Sequence, residues 1–478
     1  MKHVTPVAAT ATVPLVIDLD GTLTPADVSV EALLRVARRG LAQFLMVLRW
    51  LFAGRAGVKT RVARAAPLDP ATLNYCPEVL ALIDTARAEG RPVILASASH
   101  RRNIVRVARH LGVFDAVLAT RRRANLKGAH KLAALRRLLG DQPFDYVGDA
   151  RADRPLWAAA RRGYSVGYCP PGVERLTAPG KPRWRVVLRA MRPHQWAKNA
   201  LIFVPVLTAD QLFEAGSLAA AGTAFVLMSL IASGVYLLND ALDIDADRAH
   251  RTKRHRPIAA GALSIPLALA LSGLFALAPL AVGWALLGTK PALALGAYLV
   301  LTTAYSFRLK AAMTADVITL ACLYTIRIWI GALAIGVGLS FWLLLFSVFF
   351  FLSLAYLKRY TELSAAIDPK KLLSGRGYVG ADLEIVGQMG VASGMVSILV
   401  LALFANAIRT TGAYAAPQLL WLLCLPLLYW INRVWMMARR GEVEGDPVAF
   451  AIADKRSIML AASMAVILVA AKSLPIEF

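Results

Sequence analysis

Residues 16–24 read VIDLDGTLT, an apolar strand-like run that ends in two carboxylates separated by one residue. Side chains at positions i and i+2 of a strand lie on the same face, so Asp18 and Asp20 are expected to point together. Gly21 then allows the chain to turn. Such a pair can divide the work of phosphoryl transfer, with one carboxylate as the nucleophile on phosphorus and the other as general acid and base.

Strand-like and helical stretches alternate in the region around this motif. This alternation predicts a parallel α/β sheet of the Rossmann-like kind. The helical stretch at about 25–90 is long enough to be a cap inserted after the first strand. We expect this domain to cover residues 1–168 and a Pro/Gly-rich linker to cover 169–188. The predicted strands are 14–19, 92–96, 116–119 and 145–148.

The other predicted strands also lead into polar side chains. Ser97 supplies a hydroxyl suited to a phosphoryl oxygen, and Lys127 can neutralise phosphate charge. The segment GDARAD supplies Asp149 and Asp153 as ligands for Mg²⁺. Sites of this kind assemble at the carboxyl edge of a parallel sheet, so these residues are expected to converge.

Together, these motifs resemble those of the haloacid dehalogenase superfamily over about residues 13–168. The resemblance implies an aspartyl-phosphate intermediate and one Mg²⁺ ion held by Asp18, Asp20, Asp149 and Asp153. It makes Asp18 the nucleophile and Asp20 the general acid and base. It gives the phosphate-binding roles to Ser97 and Lys127, although Lys131 lies close to Lys127 in the chain.

The rest of the chain is strongly apolar, which explains the 58% hydrophobic content and a mean hydropathy of +0.55. From about residue 198, apolar runs approach the length that a helix needs to cross a bilayer. We predict an all-α, multi-pass membrane domain over 189–478. Its roughly nine expected helices are 198–213, 217–238, 264–287, 291–306, 315–337, 340–357, 386–408, 416–437 and 456–474.

The chain has a net charge of +24, and basic residues recur in alternate loops of this domain. Loops of this kind face the cytoplasm, so the charge indicates a membrane protein rather than a nucleic-acid-binding one. No apolar signal segment occurs at the N-terminus. The sequence predicts an inner-membrane protein with a cytoplasmic N-terminal domain and its C-terminus on the opposite side. It is compatible with a homo-oligomer, and its four scattered cysteines are expected to be reduced.

An acidic cluster occurs in residues 236–261, YLLNDALDIDADRAHRTKRHRPIAAG, at the end of the second predicted membrane helix. Asn239, Asp240, Asp243 and Asp247 would share one face if the segment is helical. Oxygen ligands without His or Cys favour one or more Mg²⁺ ions, held jointly with a diphosphate. The basic residues that follow, including Lys253 and Arg256, suit further phosphate groups.

Other polar residues occur at or within the predicted membrane helices. Arg327 lies inside an apolar run, where a carboxylate or a substrate phosphate is expected to pair with it. The basic residues near helix ends have a simpler explanation as anchors in the lipid headgroups. The candidates for substrate binding are Lys198, Tyr305, Lys310, Asp316, Arg327, Lys358, Arg359 and Glu362.

These motifs resemble the UbiA superfamily of intramembrane prenyltransferases over roughly residues 189–474, including its nine-helix count. The match is closer to the decaprenyl-phosphate phosphoribosyltransferase type, through RPHQWAKNALIFVPVL, NDALDIDADRAHRTKRHRPIAAG, YSFRLK and LKRYTEL. That resemblance implies transfer of 5-phosphoribose from phosphoribosyl diphosphate (PRPP) to a polyprenyl phosphate, toward lipid-linked arabinofuranose. One departure from the superfamily is that Asp316 is followed four residues later by Leu320, where a second Asp is usual.

Three alternatives remain open at the level of sequence. The membrane half is also compatible with a conventional prenyltransferase that uses a prenyl diphosphate and an aromatic or other acceptor. Intramembrane charges also occur in transporters, although the clustered aspartates argue against a transporter here. The N-terminal domain would be a regulatory or docking module if it were not catalytic, but its intact Asp18 and Asp20 pair argues against that.

Overall fold

The protein, described by a computed structural model, forms two compact units. One unit combines Met1–Met191 with Tyr236–Ser272, and the other combines Arg192–Val235 with Gly273–Phe478. Part of the linker predicted at 169–188 lies outside the described residues. The structure describes residues 12–177 without 38, 40–42, 44–45, 48, 51–53 and 121–125, then 183–365 without 210, 376–408, 414–443 and 447–473.

The first unit is built on a parallel sheet of six strands, in the order β3-β2-β1-β4-β5-β6. All of the neighbouring strands pair in the parallel sense, which confirms the predicted α/β class. The last two strands were not expected from the sequence. The strands are β1 (Leu15–Ile17), β2 (Val93–His100), β3 (Ala116–Thr120), β4 (Asp145–Gly148), β5 (Arg162–Ser165) and β6 (Glu174–Arg175).

Both faces of this sheet are buried. Successive side chains of a strand point to opposite faces, so each strand contributes residues to the core on both sides. In β1, Leu15 and Ile17 pack on one face with Ile83. Val16 lies on the other face in a cluster with Trp157. Helices therefore cover both faces of the sheet, and the central strand β1 consists of apolar residues only.

The helices between β1 and β2 are those of the predicted cap, whose limits of 25–90 remain a prediction. The other helices connect later strands or lead toward the membrane domain. The helices of this part are α1 (Val28–Ala37), α2 (Gly54–Ala65), α3 (Pro77–Ala88), α4 (Arg101–Leu111), α5 (Ala129–Leu139), α6 (Arg154–Ala159) and α7 (Arg183–Met191).

The remaining helices include seven, among the described residues, that are long and apolar enough to cross a membrane. The protein is therefore a multi-pass membrane protein, as the sequence predicts. The helices of this part, the spans and the shorter helices together, are α8 (Val204–Thr208), α9 (Ala215–Leu242), α10 (Ile244–Ala249), α11 (Ile265–Leu287), α12 (Thr289–Phe307), α13 (Ala315–Ala334), α14 (Phe341–Ser364), α15 (Leu383–Ala407), α16 (Cys424–Arg439), α17 (Pro447–Ala453) and α18 (Lys455–Ser473).

Two of the nine predicted membrane helices are not among these seven. The prediction at 198–213 is wrong as a single α-helix, because Pro193–Phe203 forms 3₁₀ turns and only α8 follows. Pro205 at the start of α8 has no backbone N–H to donate to a preceding turn, which favours such a break. The prediction at 291–306 coincides with α12, which is 19 residues long. The count of nine therefore stays a prediction.

Close helix packing in the second unit depends on small residues. A Cβ atom on Gly390 of α15 would lie 2.2 Å from the Trp435 ring of α16 and 2.8 Å from Tyr356 Cβ of α14. Small side chains let membrane helices approach closely where no hydrophobic effect drives them together. The glycine therefore fixes the contact of these three helices.

Candidate active sites

Three carboxylates converge at the carboxyl edge of the sheet, as the strand-end pattern predicts. Oxygens of Asp18, Asp149 and Asp153 all lie within 4.8 Å of one another. Asp18 follows β1, while Asp149 and Asp153 follow β4. Gly21 is in the left-handed region with φ of +78°, and a Cβ there would be 2.3 Å from Asp149 Oδ2. Only glycine therefore lets this turn approach the carboxylates.

The lysine that the structure brings to this cluster is Lys131, not Lys127. Lys131 Nζ donates hydrogen bonds to Asp18 Oδ2 at 2.6 Å and to Tyr146 Oη at 3.1 Å, and lies 3.7 Å from Asp153. Lys127 is exposed and precedes α5, whereas Lys131 lies in the first turn of that helix. Lys131 and the fully buried Leu135 are four residues apart on this helix. They therefore share the face that points inward.

Burial dominates the electrostatics of this cluster. It raises the pKa of Asp18 to about 6, although Lys131 acts in the opposite direction. Burial also raises the pKa of Asp149 to about 7, and the charge of Asp18 adds to that rise. Burial alone would lower the pKa of Lys131, but Asp18 and Asp153 raise it overall. The cluster thus concentrates negative charge that a cation would relieve.

These carboxylates fit a magnesium ion. All the converging ligand atoms are carboxylate oxygens, which is the donor type that Mg²⁺ prefers. Asp149 is half-buried, so one side of the cluster stays accessible. Among the residues that the structure describes, no other group of three such side chains converges in this way.

Asp20 is held apart from the cluster by hydroxyl and backbone donors. Ser97 Oγ and Ser99 Oγ both donate to Asp20 Oδ2, at 3.0 and 2.6 Å. The N–H of Val28 donates to Asp20 Oδ1 at 2.9 Å. Ser97 therefore orients Asp20 in this structure, and the sequence reasoning missed Ser99. The i, i+2 spacing of Ser97 and Ser99 in ASAS was the signal that could have found it.

The acidic cluster of the membrane domain lies at the end of α9 and in α10. Arg256 Nη1 donates to Asp240 Oδ1 at 3.1 Å and to both carboxylate oxygens of Asp247, at 2.9 and 2.7 Å. Burial raises the pKa of Asp247, although Arg256 acts in the opposite direction. Two of the predicted metal ligands therefore share one cation, and Arg256 itself occupies the position between them. They fit a shared metal ion in the same way, because carboxylate oxygens are the ligands that Mg²⁺ prefers.

The other predicted residues of this segment lie near that pair. Asn239 and Asp243 are half-buried, and Asp243 precedes α10 as its N-terminal cap residue. Lys253 is exposed, in the 3₁₀ turn Lys253–His255. Asp245 was not predicted to function, and it accepts two hydrogen bonds from Arg35 of α1, at 2.7 and 2.6 Å.

A buried polar network in the second unit brings together four of the predicted residues. Arg359 Nε donates to Asp316 Oδ2 at 2.6 Å, and both side chains are 0% exposed. Arg359 also contacts Glu362 and donates to Tyr305 Oη at 3.3 Å. Asp316 is therefore neutralised by an arginine and does not converge with other acidic side chains on a metal position.

Two residues that the sequence reasoning missed complete this network. Tyr378 Oη donates to Asp316 Oδ1 at 2.7 Å. Arg376 Nη1 donates to Tyr305 Oη at 2.9 Å. Both residues come from the loop before α15, and no feature of their spacing distinguishes them from other polar residues of that loop.

Arg327 lies within the membrane span α13, and it contacts neutral groups. Its Nε donates to Asn199 Oδ1 at 2.9 Å, and its guanidinium also contacts the Leu323 carbonyl and Tyr298 Oη. The rings of Tyr298 and Tyr324 lie 5.2 and 5.3 Å from it. No carboxylate of the described residues pairs with Arg327 or offsets its buried positive charge, so of the two expected partners the substrate phosphate stays a prediction.

The three remaining lysines are half-buried. Lys198 lies in the 3₁₀ segment Pro193–Phe203, Lys310 lies in the turn Leu309–Ala311, and Lys358 lies near the end of α14. Their positions near helix ends are compatible with phosphate binding and with headgroup contact alike.

The fold and these clusters define a membrane-bound transferase that carries a hydrolase-like domain. The model of the UbiA prenyltransferase family matches residues 201–453, more than half of the chain, and the chain belongs to that family. The model of the haloacid dehalogenase-like hydrolases matches residues 15–158, which identifies the N-terminal domain. The protein is accordingly an enzyme.

Three relatives are similar to nearly all or to more than half of this chain. An uncharacterized protein, y4nM, of Sinorhizobium fredii is 36% identical over 95% of this chain and 90% of its own length. The nodulation protein NoeC of Azorhizobium caulinodans is 33% identical over 59% of this chain and 91% of its own. A decaprenyl-phosphate phosphoribosyltransferase of Mycolicibacterium smegmatis is 34% identical over 56% of this chain and 86% of its own.

Proposed function

We propose that the chain is a bifunctional enzyme of the inner membrane. It transfers 5-phosphoribose from PRPP to a polyprenyl phosphate and then removes the 5-phosphate from the lipid-linked product. The observation that carries this proposal is that the acidic segment of the transferase and the phosphatase carboxylates belong to one compact unit. A relative of the membrane part is named decaprenyl-phosphate phosphoribosyltransferase, which supports the first step.

The transfer step needs no general base. An anionic oxygen of the lipid phosphate attacks the anomeric carbon of PRPP, a new C–O bond forms, and the bond to the diphosphate breaks with its electron pair leaving on the diphosphate. The nucleophile is already ionised at neutral pH, so no proton has to be removed. The residues of the site therefore have to neutralise phosphate charge and hold the two reactants in line.

We assign the diphosphate to the acidic cluster at the end of α9. Asp240 and Asp247 converge on one cationic position in the structure, and Asp243 lies between them in the chain as the cap residue of α10. Mg²⁺ held there would stabilise the diphosphate as a leaving group. Arg256 then exchanges its carboxylate partners for phosphate oxygens, and Lys253 binds further phosphate oxygens.

The arginines of the second unit favour a phosphorylated acceptor. Asp316 is neutralised by Arg359, so this segment does not present the two free carboxylates of an ordinary second acidic motif. The uncompensated charge of Arg327 suits the phosphate of a lipid whose tail lies among the membrane helices. An aromatic acceptor would leave that charge unpaired.

The second reaction is hydrolysis of a phosphomonoester at the sheet edge. The Asp18 carboxylate attacks phosphorus, the bond to the ribose oxygen breaks, and Asp20 gives that oxygen a proton. Water then attacks phosphorus, Asp20 takes up its proton, and the bond to Asp18 breaks to release phosphate. Lys131 holds Asp18 in position at 2.6 Å. Mg²⁺ on Asp18, Asp149 and Asp153 would offset the charge of the incoming phosphate.

The proposed orientation follows from charge. The basic loops and the N-terminal domain lie on the cytoplasmic side, because Lys and Arg are enriched in cytoplasmic loops. Both reactions would then occur on the cytoplasmic side of the membrane.

The test is incubation of the purified, detergent-solubilised protein with PRPP labelled in the ribose, Mg²⁺ and a polyprenyl phosphate, followed by extraction of the lipid. We expect a labelled lipid that carries one phosphate with the unaltered enzyme and two with the Asp18→Asn variant. The Asp240→Asn variant is expected to form no labelled lipid while it still hydrolyses ribose 5-phosphate.

Two outcomes would contradict parts of the proposal. A labelled lipid that keeps both phosphates in the unaltered enzyme would remove the dephosphorylation step. Transfer from a prenyl diphosphate to an aromatic acceptor, without any from PRPP, would make the enzyme a conventional member of the UbiA prenyltransferase family.

A further inference from the structure

A cavity of about 250 Å³ lies against the phosphatase carboxylates, inside the first unit. One side of it consists of Asp20, Gly21 and Asp149. Residues of the transferase segment 244–266 line the same cavity, together with residues of the predicted cap. The phosphatase therefore shares its substrate space with the segment that carries the acidic motif of the transferase.

Two ion pairs, the first of them buried, fix this segment against the cap helix α1. Arg248 Nη1 and Nη2 donate to the two carboxylate oxygens of Glu31, at 3.0 and 2.7 Å, in a two-point contact. The side chains are 3% and 0% exposed. Arg35, one turn later on α1, pairs with Asp245 in the same way. Paired hydrogen bonds of this kind fix orientation as well as distance.

Main-chain contacts hold the second half of the segment equally close. Asn74 Nδ2 donates to the Ala259 carbonyl at 2.9 Å. Gly261 has φ of +76°, and a Cβ on it would lie 2.4 Å from Pro25 Cβ. The segment therefore approaches the loop after β1 as closely as a glycine permits.

The wall that the segment contributes is mainly apolar, with Arg248 and Ser264 as its polar members. Ile244, Ile258, Leu263 and Ile265 line the cavity, and the first three are at most 4% exposed. Ile265 is also the first residue of the membrane span Ile265–Leu287. The cavity therefore joins phosphatase carboxylates at one end to the start of a membrane helix at the other.

We propose that this apolar wall makes the phosphatase selective for phosphomonoesters that are linked to a lipid. A soluble sugar phosphate brings only polar groups to a cavity whose polar side also contains Asp27 and Glu31. A lipid-linked phosphomonoester adds apolar surface, and removing that surface from water against Ile258 and Leu263 favours its binding. The transferase segment thus determines which substrate the hydrolase domain accepts, an inference that rests on the phosphatase activity proposed above.

The test compares two probes with the full-length protein in detergent and Mg²⁺. One probe is ribose 5-phosphate, and the other is ribose 5-phosphate joined through an anomeric phosphodiester to a farnesyl chain. Release of inorganic phosphate gives kcat/KM for each probe. We expect the ratio of kcat/KM, farnesyl-linked over soluble, to exceed about tenfold in the unaltered enzyme, mainly through KM.

A matched pair of variants then tests the wall itself. Ser264 lines the cavity, whereas Ala262, two positions earlier on the same segment, is not among its lining residues. Ser264→Trp fills the cavity and is expected to lower that ratio by about tenfold, whereas Ala262→Trp leaves it unchanged. Ser264→Asp, which adds a charge without the bulk of a ring, is also expected to lower it.

Each failure has a distinct meaning. No phosphate release from either probe would overturn the proposed phosphatase itself. Equal kcat/KM for the two probes, or Ser264 variants that change both probes in parallel, would overturn the role of the wall and leave the phosphatase assignment intact.

Discussion

Replacing Lys131 with methionine should abolish hydrolysis while it leaves the fold intact. The side chain is 2% exposed, and its Nζ is 2.6 Å from Asp18 Oδ2. Removing one partner of a buried ion pair costs about 3–5 kcal/mol when the other charge stays buried. Asp18 can instead take up a proton. From its pKa of about 6, this costs about 2 kcal/mol at about pH 7.5.

Proton uptake is the smaller cost, so about 2 kcal/mol is the upper limit for the loss of stability in the metal-free protein. A protonated Asp18 cannot attack phosphorus, and the uncharged methionine side chain cannot stabilise the phosphoryl oxygens. We expect the rate of phosphate release from ribose 5-phosphate to fall by about 100- to 1,000-fold. The transfer reaction from PRPP should be unchanged, because it uses other residues.

Lys127→Met is the matched control, since Lys127 is the exposed lysine just before the same helix. It should retain hydrolysis within about twofold, as surface substitutions usually do. The reasoning is refuted if Lys127→Met loses hydrolysis and Lys131→Met keeps it. It is equally refuted if Lys131→Met loses the transfer reaction to the same extent, because the variant would then have damaged the whole chain.

Three further outcomes are expected from the same structure. The pKa values of Asp18 and Asp149, raised from 3.8 to about 6 and about 7, mean that folding favours the protonated carboxyl groups, so the metal-free domain should lose stability as pH rises from about 4 to about 7. The affinity for Mg²⁺ should rise as pH increases from about 5 to about 7.5, because the ligands ionise, and calorimetric titration measures it. Gly21→Ala places a Cβ 2.3 Å from Asp149 Oδ2 at φ of +78° and should abolish phosphate release without affecting transfer from PRPP. Arg359→Met leaves Asp316 buried without its cation and should destabilise the membrane domain by about 3–5 kcal/mol, seen as a lower midpoint in thermal unfolding, whereas Arg359→Lys should lose less.

The parts of the fold that could be predicted are those with a strong periodic signal. The central strands are buried on both faces and are therefore rich in apolar residues, which makes β1 and β4 visible in the sequence. Membrane spans such as Ile265–Leu287 follow from length and hydropathy alone. The prediction of one membrane helix at 198–213 was wrong, although the segment is as apolar as a membrane span. Pro205 and the preceding 3₁₀ turns interrupt the helix there.

Side-chain partners were less predictable because they depend on where a helix begins. Lys127 and Lys131 differ by four residues, and both would share a face if α5 extended to Lys127. The helix begins at Ala129, so only Lys131 points inward. Arg327 illustrates a different limit, since its partners Asn199 and Tyr298 come from distant parts of the chain and leave no pattern in the sequence.

The acidic motif was predicted as one metal-binding group, yet its short helix α10 serves two purposes. Asp245 and Arg248 are three residues apart and share the face that pairs with Arg35 and Glu31 of α1. Asp247 lies on another face and pairs with Arg256 beside Asp240. Because one rigid turn of helix carries both sets, a rotation that moves Asp247 also moves Arg248 against the cap. We therefore expect a diphosphate bound beside Asp247 to change the shape of the phosphatase cavity that Arg248 lines.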